Sequence, residues 1–160
     1  MQTVTVSTDS LMELICLQLK QGGRANLMVT GSSMLPWLRE ERDAVLLSPV
    51  PGDLRPGDVA LYRRDNGRYL LHRVISLTPE GYLFCGDNQA YLEPVRQDQL
   101  LALMIGYTRK GKVYDLNAVG YRLYSWIWLR LFCLRKSYIR MRRRLGRMRR
   151  RFLNRRKRHG

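Results

Sequence analysis

The C-terminal quarter of the sequence contains no acidic residue. Residues 119–160, called the tail below, hold 16 Lys and Arg side chains and no Asp or Glu, whereas residues 1–118 hold 13 acidic and 13 basic side chains. The net charge of +16 therefore belongs to the tail. A neutral body followed by a basic tail predicts a globular unit with an appendage for an anionic partner, either lipid headgroups or nucleic acid phosphates.

The chain also has few residues for metal or disulfide chemistry. Its three cysteines, Cys16, Cys85 and Cys133, are far apart and form no CxxC pair or His/Cys cluster. This spacing argues against a disulfide framework and a zinc site, and we expect neither a metal nor a cofactor. The apolar segment 11–19 is too short to span a bilayer and is interrupted by Glu13 and Gln18. The sequence predicts no cleaved export signal.

Residues 26–118 consist of short apolar runs separated by Pro, Gly, Asn and Asp. This pattern predicts a mainly β fold, a sandwich or partly open barrel, with RRDNGRY (63–69) as a hairpin tip. Residues 1–25 are expected to form a short helix and a linker; Leu11, Leu14, Ile15 and Leu19 make its apolar face, and Gly22 and Gly23 end it. The predicted β domain is therefore residues 26–118.

The tail has the periodicity of a helix. Apolar residues recur every three or four positions from Tyr124 to Phe152, and arginines occupy the other faces, which predicts a long basic amphipathic helix. Segment 119–134 is rich in aromatic residues but is interrupted by Arg122 and Arg130, so it suits a helix lying among lipid headgroups. The concentration of aromatic residues favours an anionic membrane surface over nucleic acid as the partner of the tail.

Ser33 is the candidate nucleophile, because it lies in the turn GSSMLP (31–36), where a glycine and a proline explain the turn but not the serine. Serine needs a base to remove its proton. No lysine occurs between Lys20 and Lys110, and of the two histidines His159 lies in the tail, so His72 remains as the base. Strand alternation in YLLHRVI (69–75) puts His72 among aliphatic neighbours, where burial keeps an imidazole neutral.

A third residue is needed to orient the imidazole, and a carboxylate is the usual choice. Asp87 in the turn GDNQ (86–89) and Glu93, six residues later, are the two candidates. The sequence leaves open which of them orients His72.

Four boxes in order, GSSMLP, RPGDVALYRR, YLLHRVI and GDNQ, resemble the type I signal peptidases, and HRV resembles their histidine-containing branch. The resemblance covers roughly residues 26–107 and implies a signal-peptidase-like β fold, with residues 26–118 as a serine peptidase catalytic domain. It implies that Ser33 is the nucleophile, that His72 occupies the place of the lysine of other members, and that Asp87 is the aspartate of the Gly-Asp-Asn box. The Ser33 N–H would be an oxyanion donor. Cleavage of signal or leader peptides after small residues, with the peptide held against a strand edge, is the implied activity.

The chain departs from the family at three places. Glu93 stands where the histidine branch commonly has a second aspartate, and Gly31 stands where some bacterial members have a hydroxyl, so a second oxyanion donor is not evident. Family members usually carry an N-terminal transmembrane helix, and none is predicted here. We therefore expect membrane association through the tail, either peripheral or as a C-terminal anchor.

Two other functions are considered. A self-cleaving repressor-type peptidase would need a DNA-binding domain ahead of the core, and about 25 residues are too few for one. A catalytically silent peptidase fold that docks on membrane or nucleic acid through the tail is the alternative from another functional class.

Overall fold

The computed structural model describes residues 8–156. Residues 1–7 of the predicted N-terminal unit and 157–160 of the tail, with His159, lie outside the described residues. The helices are α1 (Thr8–Lys20), α2 (Val119–Arg130) and α3 (Phe132–Arg156). The strands are β1 (Ala25–Met28), β2 (Asp43–Ser48), β3 (Val59–Arg63), β4 (Tyr69–Thr78), β5 (Gly81–Cys85), β6 (Glu93–Val95), β7 (Leu100–Arg109) and β8 (Lys112–Asp115).

In the described part of the chain the strands form one open, eight-stranded antiparallel sheet, so the prediction of a mainly β fold is confirmed. Its order is β1-β2-β7-β3-β4-β5-β6, and β8 pairs with β7. The predicted hairpin joins β3 to β4: Arg64 N–H donates to Arg68 O at 2.9 Å, and Gly67 adopts a positive φ of 83°. Ala60 pairs with His72 and Tyr62 with Leu70 in this hairpin, which fixes the register around the candidate base.

Two apolar clusters hold the sheet, one on each face of β3. Val59 and Leu61 belong to the cluster that includes helix α1, whereas Ala60 and Tyr62 belong to the cluster around Phe84. These four residues are almost fully buried, whereas Arg63, the last residue of β3, is exposed. Because successive side chains of a strand point to opposite faces, this segment reads as a continuous apolar run.

Helix α1 packs on the sheet through a face that differs from the predicted one. The buried residues are Met12, Ile15 and Leu19, while Leu11 and Leu14 are exposed. The prediction for Leu11 and Leu14 is wrong because α1 has two apolar stripes and the helix is rotated so that the stripe with Met12 meets the sheet. The helix ends at Lys20, before Gly22, whose φ is 77°.

The tail contacts the same core. Tyr121 of α2 is buried in the cluster that contains α1, so the predicted N-terminal and tail units both pack on the sheet. Helix α2 ends at Arg130 and α3 begins at Phe132, which interrupts the predicted helix at Leu131. The long basic amphipathic helix and the divisions at residues 25 and 118 stay predictions.

Candidate active site

Ser33 lies half-buried in the loop between β1 and β2. Its carbonyl oxygen accepts a 2.7 Å hydrogen bond from Asn88 N–H, and the Asn88 side-chain amide donates to Ser32 O at 3.2 Å. Within residues 8–156, the Ser33 hydroxyl and the Ser33 N–H have no hydrogen-bond partner. The loop is thus held through carbonyl oxygens, which leaves the hydroxyl and the amide available.

Neighbouring residues anchor this loop. Met34 is 2% exposed and packs into the core, as a residue that seats the loop should. Gly31 adopts a φ of 76°, a region that favours glycine, and its N–H donates to Glu40 Oε2 at 2.9 Å. The Gly31 amide is therefore already bonded.

An apolar cavity of about 300 Å³ lies beside Ser33. Strands β1 and β4 contribute to its lining together with α1, although three strands separate β1 from β4 in the sheet order. The sheet must therefore curl to bring these two strands to one cavity. The lining residues from the three elements are Leu11 and Met12 of α1, Leu27 and Met28 of β1, and Tyr69, Leu70 and Leu71 of β4.

Both strands have an unpaired edge at this cavity. Within residues 8–156, β1 pairs only with β2, and the part of β4 before Arg73 pairs only with β3, because pairing with β5 begins at Arg73. Free N–H and C=O groups of an edge strand are a template for an added strand. An extended peptide is therefore the kind of ligand that the two edges are suited to receive.

His72 is 1% exposed, and its two ring nitrogens differ in their hydrogen bonding. Its Nδ1 forms a 3.0 Å hydrogen bond with the Tyr62 hydroxyl. Its Nε2 is buried and has no partner among the described residues. Burial lowers the pKa of His72 to about 4, against the opposing charges of Glu93 and Asp87. The imidazole is therefore neutral near pH 7, which a general base requires.

Glu93 reaches His72 through Tyr62. Its carboxylate is paired with Arg64, and although burial raises the pKa of Glu93, hydrogen bonds from Arg64 and Tyr62 lower it below the ordinary value. Burial raises the pKa of Tyr62, and the negative charge of Glu93 raises it further. If the Tyr62 O–H is directed at the Glu93 carboxylate as a hydrogen-bond donor, the Tyr62 oxygen accepts Nδ1–H of His72. In this tautomer, Nε2 carries the free lone pair.

Asp87 has different partners. Its side chain is fully buried; Arg73 donates to both carboxylate oxygens at 2.9 and 2.8 Å, and the Tyr124 hydroxyl donates to Oδ2 at 2.8 Å. The backbone oxygen of Asp87 accepts from Trp128 Nε1 at 3.2 Å and from Arg135 Nη1 at 2.8 Å. No hydrogen bond joins Asp87 to His72 in the described part of the chain. The residue attaches the tail to the turn.

The backbone segments that carry Ser33 and His72 both lie near one end of the β4–β5 ladder. Arg73, next to His72, pairs with Cys85, next to Gly86. A Cβ on Gly86 would lie 2.8 Å from Ser33 O, so only glycine allows the Ser33 loop to approach this closely. No hydrogen bond between the Ser33 hydroxyl and His72 is formed within residues 8–156.

Sequence reasoning missed several residues that contact the candidate groups. Tyr62 was available from the hairpin: a tip centred on Asn66 sets Ala60 opposite His72 and Tyr62 on the same face. Arg73, Tyr124 and Arg135 carried no local signal, because each meets Asp87 only through long-range packing.

The described residues contain no group of three or more His, Cys, Asp or Glu side chains that could hold a metal ion. Among residues 8–156, no helix has the length and apolar character needed to cross a bilayer. Comparison with models of protein families, with curated proteins and with solved structures finds no match to this chain.

Proposed function

We propose that the protein is a serine endopeptidase that resembles the histidine branch of the type I signal peptidases. Two separate observations support the proposal: the hydroxyl of half-buried Ser33 is unbonded beside an apolar cavity, and the buried Nε2 of neutral His72 is unbonded as well. A signal-peptidase-like form of the sheet is part of the same proposal.

Acyl transfer would proceed in two steps, the acylation of Ser33 and the hydrolysis of the acyl-enzyme. Ser33 Oγ attacks the scissile carbonyl carbon, its proton passes to His72 Nε2, and the Ser33 N–H stabilises the oxyanion. Collapse breaks the C–N bond, and the imidazolium returns the proton to the leaving amine. A water then hydrolyses the acyl-enzyme by the same route. Hydrogen bonds of this kind often form only when substrate is bound, so their absence in the free protein is compatible with the mechanism.

The ring-orienting role belongs in this proposal to Glu93, acting through Tyr62. Tyr62 is the residue bonded to Nδ1, and Glu93 is the carboxylate beside Tyr62. Asp87, whose carboxylate is held by Arg73 and Tyr124, is assigned a structural role. Of the two carboxylates that the sequence left open, Glu93 is therefore preferred.

The substrate class follows from the cavity and the two strand edges. An extended peptide would pair with the backbone of β1 or β4 and place apolar side chains in the cavity. The resemblance adds that the residue before the cleaved bond is small and that the peptide is a signal or leader segment. The proposal requires no cofactor.

Ser33→Ala tests this function directly, with Ser32→Ala as the matched control in the same loop. We expect Ser33→Ala to abolish cleavage of a leader peptide and labelling by a serine-reactive phosphonate. Ser32→Ala, which keeps the Ser32 carbonyl that Asn88 binds, should retain both. Equal cleavage by the parent and Ser33→Ala would refute the mechanism.

A second candidate function is membrane docking by a catalytically silent peptidase fold. It is favoured by apolar side chains of the tail that are at least half exposed, Leu123, Trp126 and Leu134, on helices without a single acidic residue. The same surface supports a peripheral membrane location for a peptidase. Nucleic acid is the less favoured partner.

Flotation with anionic vesicles tests docking, and point variants are better than deletion because Tyr121 and Tyr124 of the tail pack on the body. Trp126→Gln and Leu134→Gln should reduce flotation, and Leu14→Gln, an exposed leucine of α1, should not. Equal flotation of all three variants would reject the docking surface, and salt-dependent binding of RNA in its place would favour nucleic acid.

A further inference from the structure

A second cavity, also of about 300 Å³, lies between the loop that follows Ser33 and helix α3. Leu35 and Pro36 of the loop, the Asp87–Asn88 turn, and Tyr138 and Ile139 of α3 form much of its wall. Three cationic side chains complete the lining: Arg39, Arg135 and Arg142. Cations from two separate segments thus converge on one concave site.

Arg135 is the unusual member of this set. Its side chain is only 7% exposed, and its guanidinium lies 5.4 Å from the ring centre of Trp128 and 5.1 Å from that of Phe132. Nη1 donates to Asp87 O at 2.8 Å, but Nε and Nη2 have no partner in the described part of the chain. Burying charged donors without an acceptor is costly, so two unbonded N–H groups on a buried arginine favour the binding of an anion.

The nearby carboxylate does not supply that acceptor. Asp87 lines the cavity, but both of its carboxylate oxygens already accept hydrogen bonds from Arg73 and one also from Tyr124. Arg135 Nη1 lies 3.7 Å from Asp87 Oδ1, too far for a hydrogen bond. Asp87 thus supplies one negative charge to both Arg73 and Arg135, and Arg39 and Arg142 have no ion pair within residues 8–156, so the lining of the cavity keeps a net positive charge.

We propose that this cavity is a binding site for a phosphate group. The planar fork of an arginine matches the oxygens of phosphate, and a charge-assisted hydrogen bond is roughly twice as strong as a neutral one. Arg135 provides the two buried donors, and Arg39 and Arg142 provide exposed cations on opposite walls. The group is a phosphate monoester or diester, either of a soluble metabolite or of a lipid headgroup.

Titration of the full-length protein with inorganic phosphate tests the site. Ionic strength is held constant with NaCl, and binding is followed by calorimetry and by tryptophan fluorescence, since Trp128 lines the cavity. We expect saturable binding that Arg135→Lys weakens about tenfold, because lysine keeps the charge but lacks the fork. Arg142→Gln should weaken binding about fivefold. Arg140→Gln, which removes the same charge from an exposed position outside the lining, should change it less than twofold.

A second arm distinguishes the source of the phosphate. Vesicles of phosphatidylcholine with or without phosphatidic acid are floated with the same variants. Binding of inorganic phosphate that depends on Arg135 supports a soluble ligand, and Arg135-dependent binding of phosphatidic acid vesicles alone supports a lipid headgroup. Arg142 is exposed, so Arg142→Gln remains informative if Arg135→Lys does not fold. The proposal is overturned if neither probe binds saturably, or if both cavity variants bind as Arg140→Gln does. No peptide is present, so the outcome is independent of cleavage by Ser33.

Discussion

Asp87 and Glu93 are carboxylates six residues apart, yet they have different neighbours. Asp87 is fully buried and its oxygens are taken by Arg73 and Tyr124, whereas the Glu93 side chain is 15% exposed and stands beside Tyr62, which bonds His72. Asp87, which lies in the recognisable Gly-Asp-Asn turn, therefore has structural partners. Glu93, which lies in no motif, is the carboxylate next to the residue that contacts the candidate base. The comparison teaches that the neighbours of a carboxylate, and not the motif around it, indicate its role.

The largest expected effect comes from removing the charge of Asp87. Asp87→Asn should lower the free energy of unfolding by about 3 to 5 kcal/mol, because it leaves the buried guanidinium of Arg73 without its partner. Urea denaturation measures the change. Asp65→Asn is the control, since Asp65 also pairs with an arginine, Arg96, but both side chains are exposed and the midpoint should stay unchanged. Similar losses in the two variants would show that burial does not distinguish these pairs.

The next effect concerns His72 and pH. Its folded-state pKa of about 4 lies below the ordinary 6.5, so the unfolded chain binds the proton more readily. The stability that neutral His72 confers is present above pH 6.5 and is lost as pH falls towards 4. We expect a loss of about 2 kcal/mol between pH 7 and pH 5.

His72→Gln provides the comparison for this pH effect. Glutamine does not titrate, so the difference in unfolding free energy between the parent and the variant should change with pH by about that amount. A difference that stays constant from pH 7 to pH 5 would mean that His72 is not protected from protonation.

The last effect concerns activity and is expected from the Tyr62–Glu93 pair. If cleavage is established, Tyr62→Phe and Glu93→Gln should each lower kcat/KM roughly tenfold to a hundredfold, because each weakens the orientation of the His72 ring. The double variant should be little worse than either single one, since both act through the same bond. Additive losses, or a larger loss of kcat/KM in Asp87→Asn after correction for its folded fraction, would return the orienting role to Asp87.

Local patterns predicted the parts of the fold that depend on neighbouring residues. The short strands, the hairpin around Gly67 and the end of α1 before Gly22 follow from turn chemistry and alternation. Strand order was not predictable in this way, because β7 pairs with β2 and β3, which lie far from it in sequence. The position of α1 depended on a choice between two apolar stripes, which only the sheet decides.

In the candidate site, too, local patterns predicted some features and missed others. The positions of Ser33 and His72 were readable from a turn and from strand alternation, and Tyr62 could have been found from the hairpin register. The contacts of Asp87 were not, because Tyr124 and Arg135 belong to a segment whose periodicity suggests a free helix. A periodic pattern shows which side chains are apolar, but it does not show which part of the molecule they pack against.

A single peptide unit joins the tail to the loop that carries the candidate nucleophile. Its C=O, from Asp87, accepts hydrogen bonds from Trp128 and Arg135, and its N–H, from Asn88, donates to the carbonyl oxygen of Ser33. A peptide unit is rigid and planar, so a tilt imposed at the carbonyl end is transmitted to the amide end. A shift of the tail helices relative to the sheet would therefore displace Ser33, which lies 54 residues upstream of Asp87, whatever surface those helices bind.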